Sequence, residues 1–572
     1  MMPEKGLVVR LKDVGIGSDL KTIVTLEITD PNRLPIHPDE LIGIRFMLTS
    51  IDVDETTGQT SYNNYFTRAR EGASYTFNGE TIEPAMESWE NPDRDSGGTW
   101  EEVGTGTYQY TFGMAVPADY DRSTTHVLAI YAEKDPVGDG RHGESISNIV
   151  FAFVPDGGPV TTTRLISDTE TCNKCHDPLE AHGGVRQEYV LCLICHNPDS
   201  GDPETGNSVD MKIMIHKIHK GAELHEVEEG GSYYIVGHGQ SVHDYSTVHF
   251  PTDVRSCEVC HTGTDGDNYR TQPSRDACGS CHDDVDFETG ENHGPGLPQH
   301  NDEGCSSCHL ATMSSEFDAS IPGAHTIDTR SSKLTGVNFE IISMSNTDPG
   351  ETPTVTYRIT DDDGDVISFD EMDRVRFIVA GPTTEFAEYW SEAGGLESVD
   401  NGDGTYSYTL ENPIPADATG SYGIGIEGRK VVDLDEEHTE VRDTAYNDVY
   451  YFAITDSAAV PRRTIVSQEN CDSCHEELSL HGGNRKNVEY CAFCHIPSES
   501  DEQERTEETL PPNTIDLKYM VHRIHLGEEQ GEPYILAGHG ERLVDFSEVR
   551  YSGDLRNCVA CHVDDSYKLP LA

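Results

Sequence analysis

The chain has 572 residues, room for three or four domains rather than one. Asp and Glu number 103 against 40 Lys and Arg, a formal charge of −63, which excludes a nucleic-acid or anionic-membrane binder because both need clustered positive charge. Apolar residues make up 35%, and no stretch approaches the roughly 20 consecutive apolar residues of a spanning helix, so no transmembrane segment is expected.

Residues 1–164 read as a β region. Val24-Thr25-Leu26-Glu27-Ile28 alternates apolar and polar, the period of a half-buried strand. The region is expected to be a barrel or sandwich of Greek-key type, with His37, His126 and His142 on its surface, and Thr161 to Arg164 leads out of it. Residues 165–330 carry five motifs of one kind: Cys172-Asn-Lys-Cys175-His176, Cys192-Leu-Ile-Cys195-His196, Cys257-Glu-Val-Cys260-His261, Cys278-Gly-Ser-Cys281-His282 and Cys305-Ser-Ser-Cys308-His309. Residues 331–462 return to strand character in Val355-Thr356-Tyr357-Arg358-Ile359-Thr360, with the Gly- and Asp-rich turn Asp400-Asn401-Gly402-Asp403-Gly404 marking a hairpin. They are read as a second Greek-key barrel or sandwich, with His438 on its surface. Residues 463–572 carry three more motifs: Cys471-Asp-Ser-Cys474-His475, Cys491-Ala-Phe-Cys494-His495 and Cys558-Val-Ala-Cys561-His562.

All 16 cysteines therefore lie in Cys-x-x-Cys-His, the attachment motif of c-type haem. Both thiols add to the haem vinyl groups, and the adjoining His becomes the proximal iron ligand. Zinc knuckles use paired cysteines but do not require a His after every second one. A disulfide scaffold gives no reason for that His either. Eight covalent haems also answer the composition, because low hydrophobicity with high net charge otherwise marks disorder. The macrocycles supply buried surface that the amino acids lack, so the motif-bearing segments should have few strands and short helices, and should be largely disordered without haem.

The chain repeats itself at offsets near 300 residues. Gly106-Thr107-Tyr108 recurs as Gly404-Thr405-Tyr406, and His182-Gly183-Gly184 recurs as His481-Gly482-Gly483. Asp210-Met211-Lys212-Ile213-Met214-Ile215-His216-Lys217-Ile218-His219 recurs as Asp516-Leu517-Lys518-Tyr519-Met520-Val521-His522-Arg523-Ile524-His525. The chain ends where Tyr269-Arg270 leads into the fourth motif of the first repeat. It is therefore either a natural octahaem form or a piece cut inside the second repeat.

Of 26 His, eight are proximal and four lie in the β regions, leaving fourteen candidates for eight distal positions. His216 and His219, and likewise His522 and His525, are three apart on one helix face, and their recurrence beside the motifs marks them as ligands. His182 and His481 follow from their short spacing to the first motif of each repeat. His293 and His325 are chosen for the two remaining irons of the first repeat, with His300 as rival. His238 and His539 could instead serve as ligands or bond a propionate; His225, His243 and His249 have no counterpart in the second repeat. Asp361-Asp362-Asp363-Gly364-Asp365 resembles a calcium loop without its twelfth-position Glu. It reads first as an acidic turn, with calcium kept as a second cofactor. No catalytic triad is found.

The Cys-x-x-Cys-His series, His-Gly-Gly after the first motif, the paired-His segment and the alternation of β and haem parts together resemble the outer-membrane decahaem cytochromes of metal-reducing bacteria, the OmcA/MtrC type. The resemblance covers nearly the whole chain. It implies a β domain, a pentahaem domain, a second β domain and a second haem domain, here with three motifs. It implies bis-His haems packed in a staggered cross, a location on the cell surface or outer membrane, and electron flow from an outer-membrane conduit or periplasmic cytochrome to metal oxides, metal complexes or flavins. This chain departs in its eight sites and in having no cysteine outside them for a disulfide. Nor does it show a signal peptide or lipobox cysteine, so Met1-Met2-Pro3-Glu4 reads as a trimmed or engineered start. Two other classes stay open: a multihaem reductase with one open-site haem, and a subunit of a conductive cytochrome filament. The acidic surface favours ferric iron and attracts metal cations, or serves solubility alone.

Overall fold

A computed structural model describes residues 6–135, 145–294, 296–393 and 398–568; His142 lies outside them. The chain divides into two compact units, Met1–Ala324 and His325–Ala572.

The first unit opens with β1 (Val8–Ile16), β2 (Lys21–Thr29), β3 (Gly43–Val53) and β4 (Thr60–Asn64). Four short strands follow: β5 (Thr67–Glu71), β6 (Tyr75–Phe77), β7 (Glu80–Ile82) and β8 (Ser88–Pro92). The β part closes with β9 (Thr99–Gly104), β10 (Thr107–Ala115), β11 (His126–Glu133) and β12 (Ile146–Phe153). One antiparallel sheet has the order β1-β2-β10-β9 and the other β12-β11-β3-β4. The β2–β3 and β10–β11 connections pass from one sheet to the other, a Greek-key sandwich. Of the two expected architectures the sandwich is the one observed; the sheets do not close into a barrel.

The sequence pattern explains the layering. In β2, Val24, Leu26 and Ile28 are fully buried while the residues between them are partly exposed, so one face meets the core and the other meets water. The β11 run Val127-Leu128-Ala129-Ile130 is buried throughout. Leu128 and Ile130 point into the sandwich with Val24 and Phe46. Val127 and Ala129 point outward, against Leu191, Leu193 and Ile194 of the second-motif helix. This sheet is apolar on both faces because it carries the motif-bearing segment.

His126 is a correction to the sequence reading. Rather than lying on the surface, it is 0% exposed. Its Nδ1 donates to the Thr124 carbonyl at 3.0 Å and its Nε2 accepts from the Tyr65 hydroxyl at 2.7 Å. Both ring nitrogens are satisfied inside the protein, so burial costs little, and it pushes the ring pKa below its ordinary value.

The second unit repeats this plan. One sheet runs in the order Asn338–Ser345, Thr354–Thr360, Tyr406–Thr409, Val399–Asp400; the other pairs Glu388–Glu392, Arg374–Gly381 and Ser421–Val432, the last also flanked by Val441–Thr444 and Asp448–Ala453. Val355, Tyr357 and Ile359 are fully buried, as their alternation predicts. The hairpin turn after Asp400 places Gly402 and Gly404 at φ +77° and +84°, which glycine adopts without strain. Ile378 and Ala380 again face outward, against Tyr490, Ala492 and Phe493 of the matching motif helix.

Outside the sandwiches the helices among the described residues are short, the longest being Met211–Lys220 and Leu517–Leu526 at 10 residues each. Phe493 is fully buried with its ring 5.0 Å from Phe386. Phe493→Ala should cost about 3–5 kcal/mol, measured by chemical denaturation of the haem-loaded protein. A loss under about 1 kcal/mol would mean that this docking contributes little.

Candidate haem-binding sites

Each motif sits on a helical turn. The N–H of the motif His bonds the carbonyl of the first Cys at 2.9 Å in His196, His261, His282, His309 and His562, and at 3.1 Å in His495. Such a turn sets the two thiols and the imidazole on neighbouring faces. None of the 16 cysteines forms a disulfide.

Among the described residues, seven motif histidines are found facing a second imidazole. In the first unit His176 faces His219, His196 faces His182, His261 faces His216 and His309 faces His293, with ring centroids 6.2, 5.9, 6.2 and 6.2 Å apart. In the second unit His475 faces His525, His495 faces His481 and His562 faces His522, at 6.2, 6.1 and 6.0 Å. A direct hydrogen bond of about 2.9 Å between ring nitrogens would bring the centroids to about 5.1 Å. Two nitrogens at about 2.0–2.1 Å from one metal ion would place them about 6.2 Å apart. The spacing thus fits an intervening metal atom better than direct contact. Among the described residues no group of three or more His, Cys, Asp or Glu is arranged around a metal ion. A pair of imidazoles supplies only two donors, which suits a haem, whose macrocycle supplies the rest.

The ring nitrogens are arranged for this role. Nδ1 of His196 donates to the Val209 carbonyl at 2.9 Å, and Nδ1 of His495 to the equivalent Ile515 carbonyl at 2.8 Å. His293 donates to Leu297 at 2.8 Å, His522 to Lys518 at 2.5 Å and His525 to Val521 at 2.9 Å. A carbonyl only accepts, so the proton stays on Nδ1 and Nε2 presents a lone pair. Surrounding protein desolvates His182, His216, His219 and His481 and pulls each down to about 4. Although the gaps leave His182 and His481 open to water, all four rings are neutral at neutral pH.

Local backbone chemistry aims the distal rings. His182 and His481 sit at φ +54° and +53°, each followed by two glycines that also have positive φ. A single non-glycine residue in this region is tolerated where its surroundings hold it, and the glycines let the chain turn back at once. The helices Met211–Lys220 and Leu517–Leu526 send their two histidines to different motifs, and Gly221 and Gly527 end them at φ +45° and +43°. His325 follows the short helix Ile321–Ala324. Of the rivals, His300 bonds Glu288 at 3.1 Å, His238 begins the turn after Tyr234–Val236, and His539 follows the strand Ile535–Gly538. Asp361 accepts the backbone N–H of Asp363 and Asp365, the self-contained geometry of an acidic turn.

Neighbouring motifs are tied together. Thr169 Oγ1 accepts from Tyr189 N–H at 2.9 Å, joining the first motif to the second, and Thr171 bonds Thr262 at 2.6 Å, joining the first to the third. Arg275 and Asp302, at 2.9 Å, join the fourth to the fifth. In the second unit Asn470 donates to the Cys561 carbonyl at 3.1 Å, joining its first motif to its third. Two residues escaped the sequence reading: Arg186 and Arg485, each four positions after the His of His-Gly-Gly. Their recurrence at one spacing was the available signal. Arg186 lies over the Tyr131 ring at 4.8 Å, whereas Arg485 bonds Glu427 at 2.9 Å.

Comparison with known proteins gives concordant results. Residues 164–326 and 463–572 match the family model described as outer membrane cytochrome MtrC/MtrF-like, domains II/IV. Multiheme cytochrome MtrC of Shewanella baltica (strain OS185) is 27% identical over 281 residues, which is 47% of this chain and 37% of that protein. The match thus spans little more than a third of the curated relative's length. The crystal structure of the outer membrane decaheme cytochrome OmcA superposes with a TM-score of 0.70 at 21% identity, covering 99% of this chain and 86% of that one. That of MtrC from Shewanella baltica OS185 gives 0.66 at 19% identity, covering 98% and 88%. These likenesses establish a shared multidomain fold along nearly the whole chain.

Substituting Gly527 tests the helix ends. An added Cβ would collide with the Val549 carbonyl, so Gly527→Ala should destabilise the second unit by at least about 1–2 kcal/mol in thermal unfolding of the loaded protein. An unchanged midpoint would show that the turn tolerates a side chain.

Proposed function

The chain belongs to the outer-membrane multihaem cytochrome family through residues 164–326 and 463–572, and from that membership we propose that it conducts electrons between bound haems and on to an extracellular acceptor. The observation that carries this reading is the set of seven opposed imidazole pairs, 5.9–6.2 Å apart.

The proposed attachment residues are Cys172, Cys175, Cys192, Cys195, Cys257, Cys260, Cys278, Cys281, Cys305 and Cys308 in the first repeat, and Cys471, Cys474, Cys491, Cys494, Cys558 and Cys561 in the second. The proximal ligands are the eight motif histidines. The distal ligands are His182, His216, His219, His293, His481, His522 and His525, with His325 as the eighth, an assignment that rests on the sequence. Bound haem c supplies a one-electron ferric–ferrous couple. The opposed imidazoles would hold it from both sides, and Nδ1 bonds to backbone carbonyls orient His196, His293, His495, His522 and His525. A site filled on both sides changes charge with little movement of its ligands, which suits electron transfer better than substrate binding. This favours a conductor over a reductase with an open site.

The proposed domains are 1–164, 165–330, 331–462 and 463–572, and the two family matches support the haem-bearing pair. Export to the cell surface or outer membrane, an outer-membrane conduit or periplasmic cytochrome as donor, and metal oxides, metal complexes or flavins as acceptors follow from the family. No helix among the described residues is long and apolar enough to cross a membrane.

The mature protein, reduced with dithionite and mixed anaerobically with ferric citrate or flavin mononucleotide, should reoxidise completely. Its ferric form should show only low-spin signals in low-temperature EPR, and its ferrous form should not bind carbon monoxide. A stoichiometric high-spin signal with carbon monoxide binding would favour the reductase instead.

A further inference from the structure

Corresponding sites of the two repeats share the tilt of their rings. On the helix Met211–Lys220, His216 lies 7° from the plane of His261, whereas His219 lies 58° from that of His176. On Leu517–Leu526 the angles are 18° for His522 against His562 and 74° for His525 against His475. Each helix therefore carries one near-parallel ring and, three residues on, one crossed ring.

A second segment stands against each crossed ring. The turns at Gly221 and Gly527 bring it in: Ala222 N–H donates to the Val248 carbonyl at 2.9 Å, and Glu528 N–H to that of Val549 at 3.0 Å. Two residues on, each segment sets an aromatic ring beside the imidazole. Phe250 lies 5.1 Å from His219, inclined at 64°, and Tyr551 lies 5.7 Å from His525 at 89°. Both are edge-to-face contacts, an arrangement that aromatic rings prefer. At the near-parallel sites an aromatic ring meets the motif His instead, Tyr269 at 5.2 Å from His261 and Tyr567 at 5.9 Å from His562. An Nδ1 bond, such as that of His525 to Val521, holds one edge of a ring; a flat neighbour stops the ring from turning.

We propose that Phe250 and Tyr551 are positioning residues that hold His219 and His525 across their partner rings, giving the His176/His219 and His475/His525 sites crossed axial ligands. The proposal rests on the haem-binding reading given above. In low-spin ferric haem, two iron d orbitals overlap the π systems of the axial rings. Parallel rings act on one orbital and separate the pair in energy, whereas crossed rings act on both and leave them close. A crossed site thus offers two orbitals of similar energy, pointing in two directions within the macrocycle plane. Both crossed sites belong to the first motif of their repeat, which is tied to two others. Ties to the second motif run through Thr169–Tyr189 and Gln468–Val488, each at 2.9 Å. Ties to the third run through Thr171–Thr262 at 2.6 Å and Asn470–Cys561 at 3.1 Å. The crossed geometry lies where a route through the motifs would branch.

The test is low-temperature EPR of the full, haem-loaded, fully oxidised chain, with haem content measured first on every sample. Near-degenerate orbitals give a highly anisotropic low-spin signal, and separated orbitals an ordinary rhombic one. The unsubstituted protein should show both. Phe250→Ala and Tyr551→Ala should each move one haem's share, an eighth of the low-spin intensity, from the anisotropic to the rhombic signal. Phe250→Tyr and Tyr551→Phe, an exchange the two repeats already make, should leave the spectrum in place. Unchanged spectra for both fully loaded alanine variants would overturn the proposal, as would absence of the anisotropic signal from the unsubstituted protein, or its equal loss in the conservative variants. Should the alanine variants lose haem, Phe250→Leu and Tyr551→Leu, which keep bulk without a flat face, decide by the same shift. Fewer than eight haems in the unsubstituted protein would instead contradict the haem-binding reading.

Discussion

Opposed imidazoles held about 6 Å apart are the constraint on which the rest of the structure depends. Each pair takes one ring from a motif and the other from a separate element: a left-handed turn for His182 and His481, a helix for His216, His219, His522 and His525. Pairs that correspond between the repeats also keep a common style. His216/His261 and His522/His562 are nearly parallel at 7° and 18°, while His176/His219 and His475/His525 are steeply inclined at 58° and 74°. Recurrence of both spacing and tilt in two stretches of different sequence indicates that the gap itself is specified.

The sandwiches show how so polar a chain positions these gaps. Each has one sheet buried on both faces, and each lays a motif helix on the outer side of that sheet, through Leu191, Leu193 and Ile194 in one unit and Tyr490, Ala492 and Phe493 in the other. The docked helix carries the second motif of its repeat, so one pair in each unit is fixed to a rigid β scaffold. The remaining motifs are linked to it by short polar contacts such as Thr171–Thr262 and Asn470–Cys561.

Much of this was legible in the sequence because the chemistry is local. Cys-x-x-Cys-His states its own purpose, and two-residue alternation in Val24–Ile28 and Val355–Thr360 marked strands whose alternate residues are fully buried. Repeat comparison found the helix histidines, since His216 and His219 keep their three-residue spacing. His126 was misread because a polar residue next to an apolar run reveals nothing of the distant Tyr65 hydroxyl that satisfies it. Strands such as Val127–Ile130, buried on both faces, lack the alternation by which the others were found. Arg186 and Arg485 were visible as a recurring pair, but their different partners arise only when β11 and the matching strand Ser421–Val432 are folded beside them.

The most direct test of the central claim is iron-edge anomalous diffraction from crystals of the mature protein. The account predicts eight iron peaks, seven of them midway between His176 and His219, His182 and His196, His216 and His261, His293 and His309, His475 and His525, His481 and His495, and His522 and His562. An iron bound by one imidazole only, or the lack of an iron peak in any of these seven gaps, would contradict it.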